Sequence, residues 1–327
     1  MGFITDQVLL GKETIGSYQL DVSGGARISS LAGTSKMVVA DSSGVLSTQS
    51  ILDASGIGYV GFFGDGADGD VSVSTSISLT REMSYNNLTV TGTGNITTNG
   101  YIIRVRRNLV INSGGVINCD GKNGSGNTAG TGAYSSTVYP EFGVPSDGGT
   151  GGVASSAGSI AQSGAAGGTY VIINTNSPIQ FRVGSGGGGG GQINNDSGAL
   201  AQGGRTVWML AGSGGAGKDA NWVSGTVQLN GGGGGGGAGV CCVYAYSINN
   251  AGVIRANGGN GGNGAVSGSN SAGGGGGGGG GVVIVYYRTT SGSGVGTLQA
   301  NGGTAGTGGV DSGSNNGSSG VTMSCRI

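Results

Sequence analysis

Histidine is absent from this 327-residue chain, and that absence removes several kinds of chemistry at once. Nucleophilic triads of the Ser/His type and histidine-ligated metal sites are excluded. Charge is scarce too, with 14 Lys and Arg against 15 Asp and Glu and no basic stripe. The electrostatic footprint of a nucleic-acid or anionic-membrane partner is therefore missing. No apolar run approaches the roughly 18 residues that would cross a bilayer, so no membrane insertion is expected. The first residues, MGFITDQVLLGKE, lack a basic start followed by an apolar stretch, and no secretory signal is expected. Three prolines and no strict Gly-X-Y period rule out a collagen helix. Cys119, Cys241, Cys242 and Cys325 are too few and too scattered for a disulfide framework, and they are expected to be reduced, small apolar residues.

Carboxylates are thin on the ground as well. Polysaccharide hydrolysis needs two of them held roughly 5 to 10 Å apart. Beyond Asp120 there are only Glu141, Asp147, Asp196, Asp219 and Asp311, each isolated among glycines. The expectation is a protein without enzymatic activity, cofactor or metal. GSGGAGKD, Gly212 to Asp219, comes near a phosphate-binding loop with Lys218 in the lysine place. However, Asp219 stands where a Ser or Thr must hold magnesium, and ANWVSG rather than a helix pattern follows.

What the chain does have is glycine, 82 residues of it. Glycine loses more conformational freedom on folding than any other residue and has no side chain to bury. Only backbone N–H and C=O groups can offset the ordering cost of a glycine run, so the fold is expected to rest largely on main-chain hydrogen bonds. Uninterrupted runs fill residues 186–191, 231–237 and 273–281, starting 45 and then 42 residues apart. The last two lead into apolar stretches, VCCVYAYSI from Val240 and VVIVYYR from Val282. These lead in turn to AGVIRANGG, ending at Gly259, and VGTLQANGG, ending at Gly303. GVTMSCRI, Gly320 to Ile327, reads as a truncated third copy of the strand. A recurring unit of this length points to a stacked architecture.

Nine consecutive glycines cannot hold an α-helix, and as a conventional strand they offer nothing to pack. The polyproline II conformation remains, with about 3.1 Å rise per residue and donors pointing outward in three directions. Without β-carbons, such helices can approach closely and bond to one another. The predicted fold class is all-β and irregular, in three parts. Residues 1–55 hold short strands such as KMVVA, a segment for fibre attachment or oligomerisation. Residues 56–126 carry apolar clusters every 7 to 10 residues, a β-solenoid-like domain. Residues 127–327 form a glycine-rich tip of packed polyglycine II helices covered by short strands.

Candidate binding residues are aromatics outside the apolar strands, since loops on rigid scaffolds carry binding and Tyr and Trp supply rigid contact area. Tyr134, Tyr139 and Phe142 lie in GAYSSTVYPEFGVP, and Trp222 in KDANWVSG. Each would otherwise cap an end of the glycine layer. Trp208, Tyr244, Tyr246, Tyr286 and Tyr287 sit in or beside apolar strands and are expected to pack. Asp65, Asp68 and Asp70 in GDGADGD suit either a calcium ion or, more plainly, Asp-Gly turns leading into a strand at Val71.

Several stretches carry a resemblance. QLDVSGGARISSL followed by GTSKMVVADSSGVLSTQ resembles a segment of phage tail-fibre proteins that precedes the distal domain. FGDGADGDVSVSTSISLTREMSYNNLTV and TNGYIIRVRRNLVINSGGVINCDG resemble the lead-in to glycine-rich domains of phage structural proteins. The glycine runs with their intervening loops resemble the polyglycine II adhesins of T-even-type phages. Those adhesins are separate proteins mounted on a fibre, whereas in this chain a fibre-like N-terminal part is fused to the glycine domain. The resemblance implies a virion fibre, made in the host cytoplasm and displayed on the extracellular particle. Its partners would be other virion proteins at the N-terminal segment and a host surface receptor, an outer-membrane protein or glycan, at the tip. Similarity to tail fibres implies a homotrimer, whereas an adhesin of the T-even type would be monomeric at its tip; Tyr134, Tyr139, Phe142 and Trp222 are the candidate receptor contacts. A capsid-mounted head fibre or decoration protein and a tailspike-type polysaccharide hydrolase are the alternatives.

Overall fold

A computed structural model describes residues 36–40, 46–50, 62–134, 145, 147–151, 193–194, 228–308 and 316–327. The chain divides into two compact units, Met1–Gly56 and Ile57–Ile327. Among the described residues it is almost wholly β, with helical geometry confined to Phe62 and Phe63. In the first unit, β1 (Lys36–Ala40) pairs antiparallel with β2 (Leu46–Ser50), Val38 opposite Thr48.

The second unit is built on two parallel sheets. Its strands are β3 (Asp70–Val73), β4 (Ser76–Ser78), β5 (Met83–Tyr85), β6 (Asn87–Val90), β7 (Asn95–Thr97), β8 (Ile103–Ile111), β9 (Val116–Asn118), β10 (Ile193–Asn194) and β11 (Gln228–Leu229). They continue with β12 (Val240–Asn250), β13 (Val253–Arg255), β14 (Val266–Ser267), β15 (Asn270–Ser271), β16 (Val282–Thr290), β17 (Thr297–Gln299) and β18 (Val321–Arg326). The larger sheet runs β18-β16-β12-β8-β6-β3, with β5 also paired to β8; the smaller runs β17-β13-β9-β7-β4. β10 with β11 and β14 with β15 form small antiparallel pairs.

The apolar residues fix this register. In the smaller sheet, Ile77, Ile96, Ile117, Ile254 and Leu298 lie opposite one another in turn, one aliphatic column across five strands. Val71, Leu88, Leu109 and Ile248 make a second column in the larger sheet. Ile96, Ile117, Ile254, Leu88, Leu109 and Ile248 are fully buried in one core. Each such side chain contributes roughly 1.5 to 3 kcal/mol by leaving water. Slipping a strand by one residue would turn its part of a column to the wrong face.

The expected boundary between residues 126 and 127 does not separate compact units. Strands β12, β16 and β18 from the glycine-rich part extend the sheet begun by β3, β6 and β8, because the aliphatic columns continue unbroken across the join. The sequence repeat is visible as lateral neighbours: Val240 lies opposite Val282, Val282 opposite Val321, and Val253 opposite Thr297.

The glycine segments continue directly from these strands without forming a sheet ladder. Residues 231–239 precede β12, 273–281 precede β16, 316–320 precede β18, and 256–264 and 300–308 follow β13 and β17. Their hydrogen bonds have a period of three. Gly232, Gly235 and Ala238 donate to the carbonyls of Gly273, Gly276 and Gly279, while Gly233, Gly236 and Gly239 donate to those of Gly126, Lys122 and Cys119. Gly234 donates in a third direction, to Gly149. Gly275, Gly278 and Gly281 likewise donate to Gly262, Gly259 and Ala256. Residues 231–239 and 272–281 are entirely buried, and these lateral bonds give many of their backbone groups a partner that water cannot supply. A β-carbon at Gly235 would run into the carbonyl oxygen of Gly259, and one at Gly236 into that of Thr131. Glycine is required there by closeness of approach.

Candidate functional site

Of the four aromatic candidates, Tyr134 is described, and it is buried at 9% exposure. Its ring lies against Gly100 and Gly239, near the Cys119 thiol, and burial raises its hydroxyl well above the usual tyrosine value. From this position it packs against the glycine segments and also forms part of the wall of a cleft with Tyr101 and Leu79. Tyr139, Phe142 and Trp222 lie outside the described residues, as do Trp208, Lys218 and Asp219. Tyr244 and Tyr286 stack at 5.0 Å on one face of β12 and β16, with Phe62 edge-on to both at 4.9 and 5.7 Å.

The three aspartates of GDGADGD each face their own partners. Asp65 accepts from the Ser84 hydroxyl at 2.6 Å and from the Ala67 N–H, Asp68 pairs with Arg81 and accepts the Ser84 N–H, and Asp70 accepts from the side-chain amides of Asn86 and Asn87. Those bonds, with Ser84, Arg81 and Asn86 foremost, hold all three carboxylates below their ordinary value. No group of three metal-binding side chains occurs among the described residues. The turn geometry is carried by Gly64, Gly66 and Gly69, all at positive φ.

The arrangement with most chemical potential is one the aromatics did not signal. Residues 120–124, 256–264 and 300–308 lie side by side, and every third position carries a polar side chain toward solvent. Asp120 Oδ1 accepts the Asn257 N–H at 2.7 Å, and Asn257 Oδ1 accepts the Asn301 N–H at 2.8 Å. One step along, Asn123 Oδ1 accepts the Asn260 N–H and Asn260 Oδ1 accepts the Thr304 N–H; a further step on, Asn263 Oδ1 accepts the Thr307 N–H. Backbone bonds alternate with these, from Gly121 to Asn257, Gly258 to Asn301 and Gly261 to Thr304. Each side-chain oxygen thus replaces a carbonyl in the lateral bonding. A free-standing signal exists in NGGNGGNG, 257 to 264, and NGGTAGTG, 301 to 308: a polar residue every third place.

Two clefts open beside these rows. One, of about 380 Å³, is walled by Asp120, Lys122, Asn123, Arg255, Asn257, Asn260 and Asn301, with Gly121, Gly258 and Gly302 also in its lining. Arg255 Nε donates to Asp120 Oδ2 at 2.8 Å, which fixes the carboxylate. The other, of about 580 Å³, is lined by Leu79, Asn99, Tyr101, Thr131, Asp147 and again Lys122. Asp147 Oδ1 accepts the Gly132 N–H at 2.7 Å, and Asn99, at positive φ, donates from its side chain to the Leu79 carbonyl. Lys122 is exposed and stands between the two clefts as a common wall. No family model, curated protein or solved structure matches the chain.

Proposed function

We propose that this chain is a virion structural protein, a phage fibre whose glycine-rich part is a rigid, non-enzymatic tip for attachment to a host cell. In this reading strands β3 to β9 form a β-solenoid, and the glycine segments are polyglycine II helices bonded laterally into a lattice. The carrying observation is the period-three donation from Gly232 through Gly239 into separate neighbouring segments, in a run with no side chain beyond the Ala238 methyl. Donors that point in three directions at three residues per turn are what that helix supplies. A tip of this kind stays stiff with little charge or aromatic core, leaving its surface free to vary. The N-terminal segment would join other virion proteins and form the homotrimer.

Antibodies against the purified full-length chain test this directly. They should label the ends of fibres on the particles and block adsorption. Labelling of the capsid with adsorption intact would assign the chain to a head fibre or decoration protein instead, and particles that carry no label at all would end the virion reading.

A further inference from the structure

We infer that the two clefts meeting at Lys122 bind an acidic glycan, a chain of hydroxyl-rich sugar units carrying a carboxylate or phosphate group. The inference rests on the attachment role proposed above and supplies its ligand class.

The side-chain amides are the first reason. Asn257 and Asn260 use Oδ1 to accept the N–H groups of Asn301 and Thr304, which fixes each amide plane and leaves Nδ2 available as a donor. Positions three residues apart on such a segment are roughly 9 Å apart. A row of oriented donors over a glycine floor matches a ligand with hydroxyl acceptors at intervals along its length. Gly121, Gly258 and Gly302 add no side chain that would lift a sugar off the backbone.

Charge is the second. Asp120 is neutralised by Arg255 within the first cleft, while Lys122 is exposed and meets no carboxylate among the described residues. The first cleft therefore keeps one positive charge, placed on the wall it shares with the second, where Asp147 adds a carboxylate bound to the Gly132 N–H. Lys122 contacts a ligand lying in either cleft, and one spanning both would set its anionic group at the ammonium on the first-cleft side and its neutral hydroxyls toward Asp147. Tyr101 and Leu79 in the second cleft supply the apolar surface against which the face of a sugar ring packs.

Other ligand classes fit less well. A protein partner needs an apolar interface core, which the first cleft lacks. Single-stranded nucleic acid needs a cationic track with several stacking aromatics, and these clefts offer Lys122, Tyr101 and the largely buried Tyr134.

Calorimetric titration of the full-length chain with polygalacturonate, a glycerol-phosphate polymer and neutral dextran tests the proposal. At least one acidic polymer should bind ten-fold or more tightly than dextran, and the tighter of the two identifies the anion. Lys122→Glu should weaken that binding at least ten-fold. Asn260→Asp should weaken it several-fold with no change in thermal midpoint, because the remaining Oδ1 still accepts the Thr304 N–H. Dextran binding as tightly as the acidic polymers, no binding of either acid, or both variants binding like the parent would overturn it. Cell binding separates the two levels: variants that bind cells as well as the parent overturn the glycan site alone, whereas a parent that binds no cells overturns the attachment role.

Discussion

The aliphatic sheets and the glycine layer solve the same problem with opposite means. Both stack chain segments side by side, and both join the same lateral neighbours, since β12 and β16 pair directly beyond the glycine segments that precede them. In the sheets, register is enforced by side chains: Ile96, Ile117 and Ile254 must lie in line to stay out of water. In the glycine layer register is enforced by backbone donors, and the side chain is what must be missing. Hydrophobic burial tolerates small adjustments of shape, whereas close backbone contact tolerates no added atom. The two regions should therefore respond to substitution on different scales.

The largest effect should come from adding atoms to the layer. Gly235→Val places a branched side chain against the Gly259 carbonyl and threatens the Gly235 bond to Gly276. A loss on the order of 4 kcal/mol, or failure to fold, is expected in urea denaturation. Removing atoms from the sheet comes next: Ile117→Ala should cost about 3 kcal/mol by emptying the aliphatic column. If Gly235→Val proves milder than Ile117→Ala, the claim that close approach governs the glycine layer fails. Asn257→Ala, which deletes one side-chain acceptor for the Asn301 N–H, should cost about 1 kcal/mol.

Smaller still is the acid response of the GDGADGD turn. Asp68 is held below its ordinary value of 3.8 by Arg81, so its folded form is depressed. Its stabilisation is present above that ordinary value and is lost as pH falls through the lower folded one, and thermal midpoints of Asp68→Asn should converge with those of the parent in strong acid. No stability change at all is expected from labelling Cys325. It is the exposed thiol, whereas burial pushes Cys119 up to about 11, Cys242 up to about 12 and Cys241 well above the usual thiol value. A thiol reagent near neutral pH should modify one cysteine in the native chain and all four after denaturation.

Much of the architecture could be read from residues. The strand at Val71, the strands at Val240 and Val282, their truncated copy near the C-terminus and the turn role of Gly66 and Gly69 all follow from apolar clusters and punctuation. Composition changes at residue 126 while the aliphatic columns continue across it, so the two sides share one compact unit. The contact surface was less legible. Tyr134 stands beside a loop-like stretch in sequence, yet its ring fills space against Gly239, a contact that only the fold creates. The Asn rows are hard to read for a different reason: their three-residue spacing acquires meaning only once 257 is known to lie beside 301. Short-range pattern finds strands, but lateral pairing across more than 40 residues needs the strands placed first.

Each glycine segment passes covalently into a strand, residues 231–239 into Val240–Asn250 and 273–281 into Val282–Thr290, so tension applied along the chain reaches both regions in line. Lateral bonds in either region stand across that direction of pull. They are loaded in shear and share the force, where peeling would break them singly. Tension along the chain would thus strain many weak bonds at once, and in the glycine layer the resistance would come without a disulfide or an apolar side chain larger than a methyl.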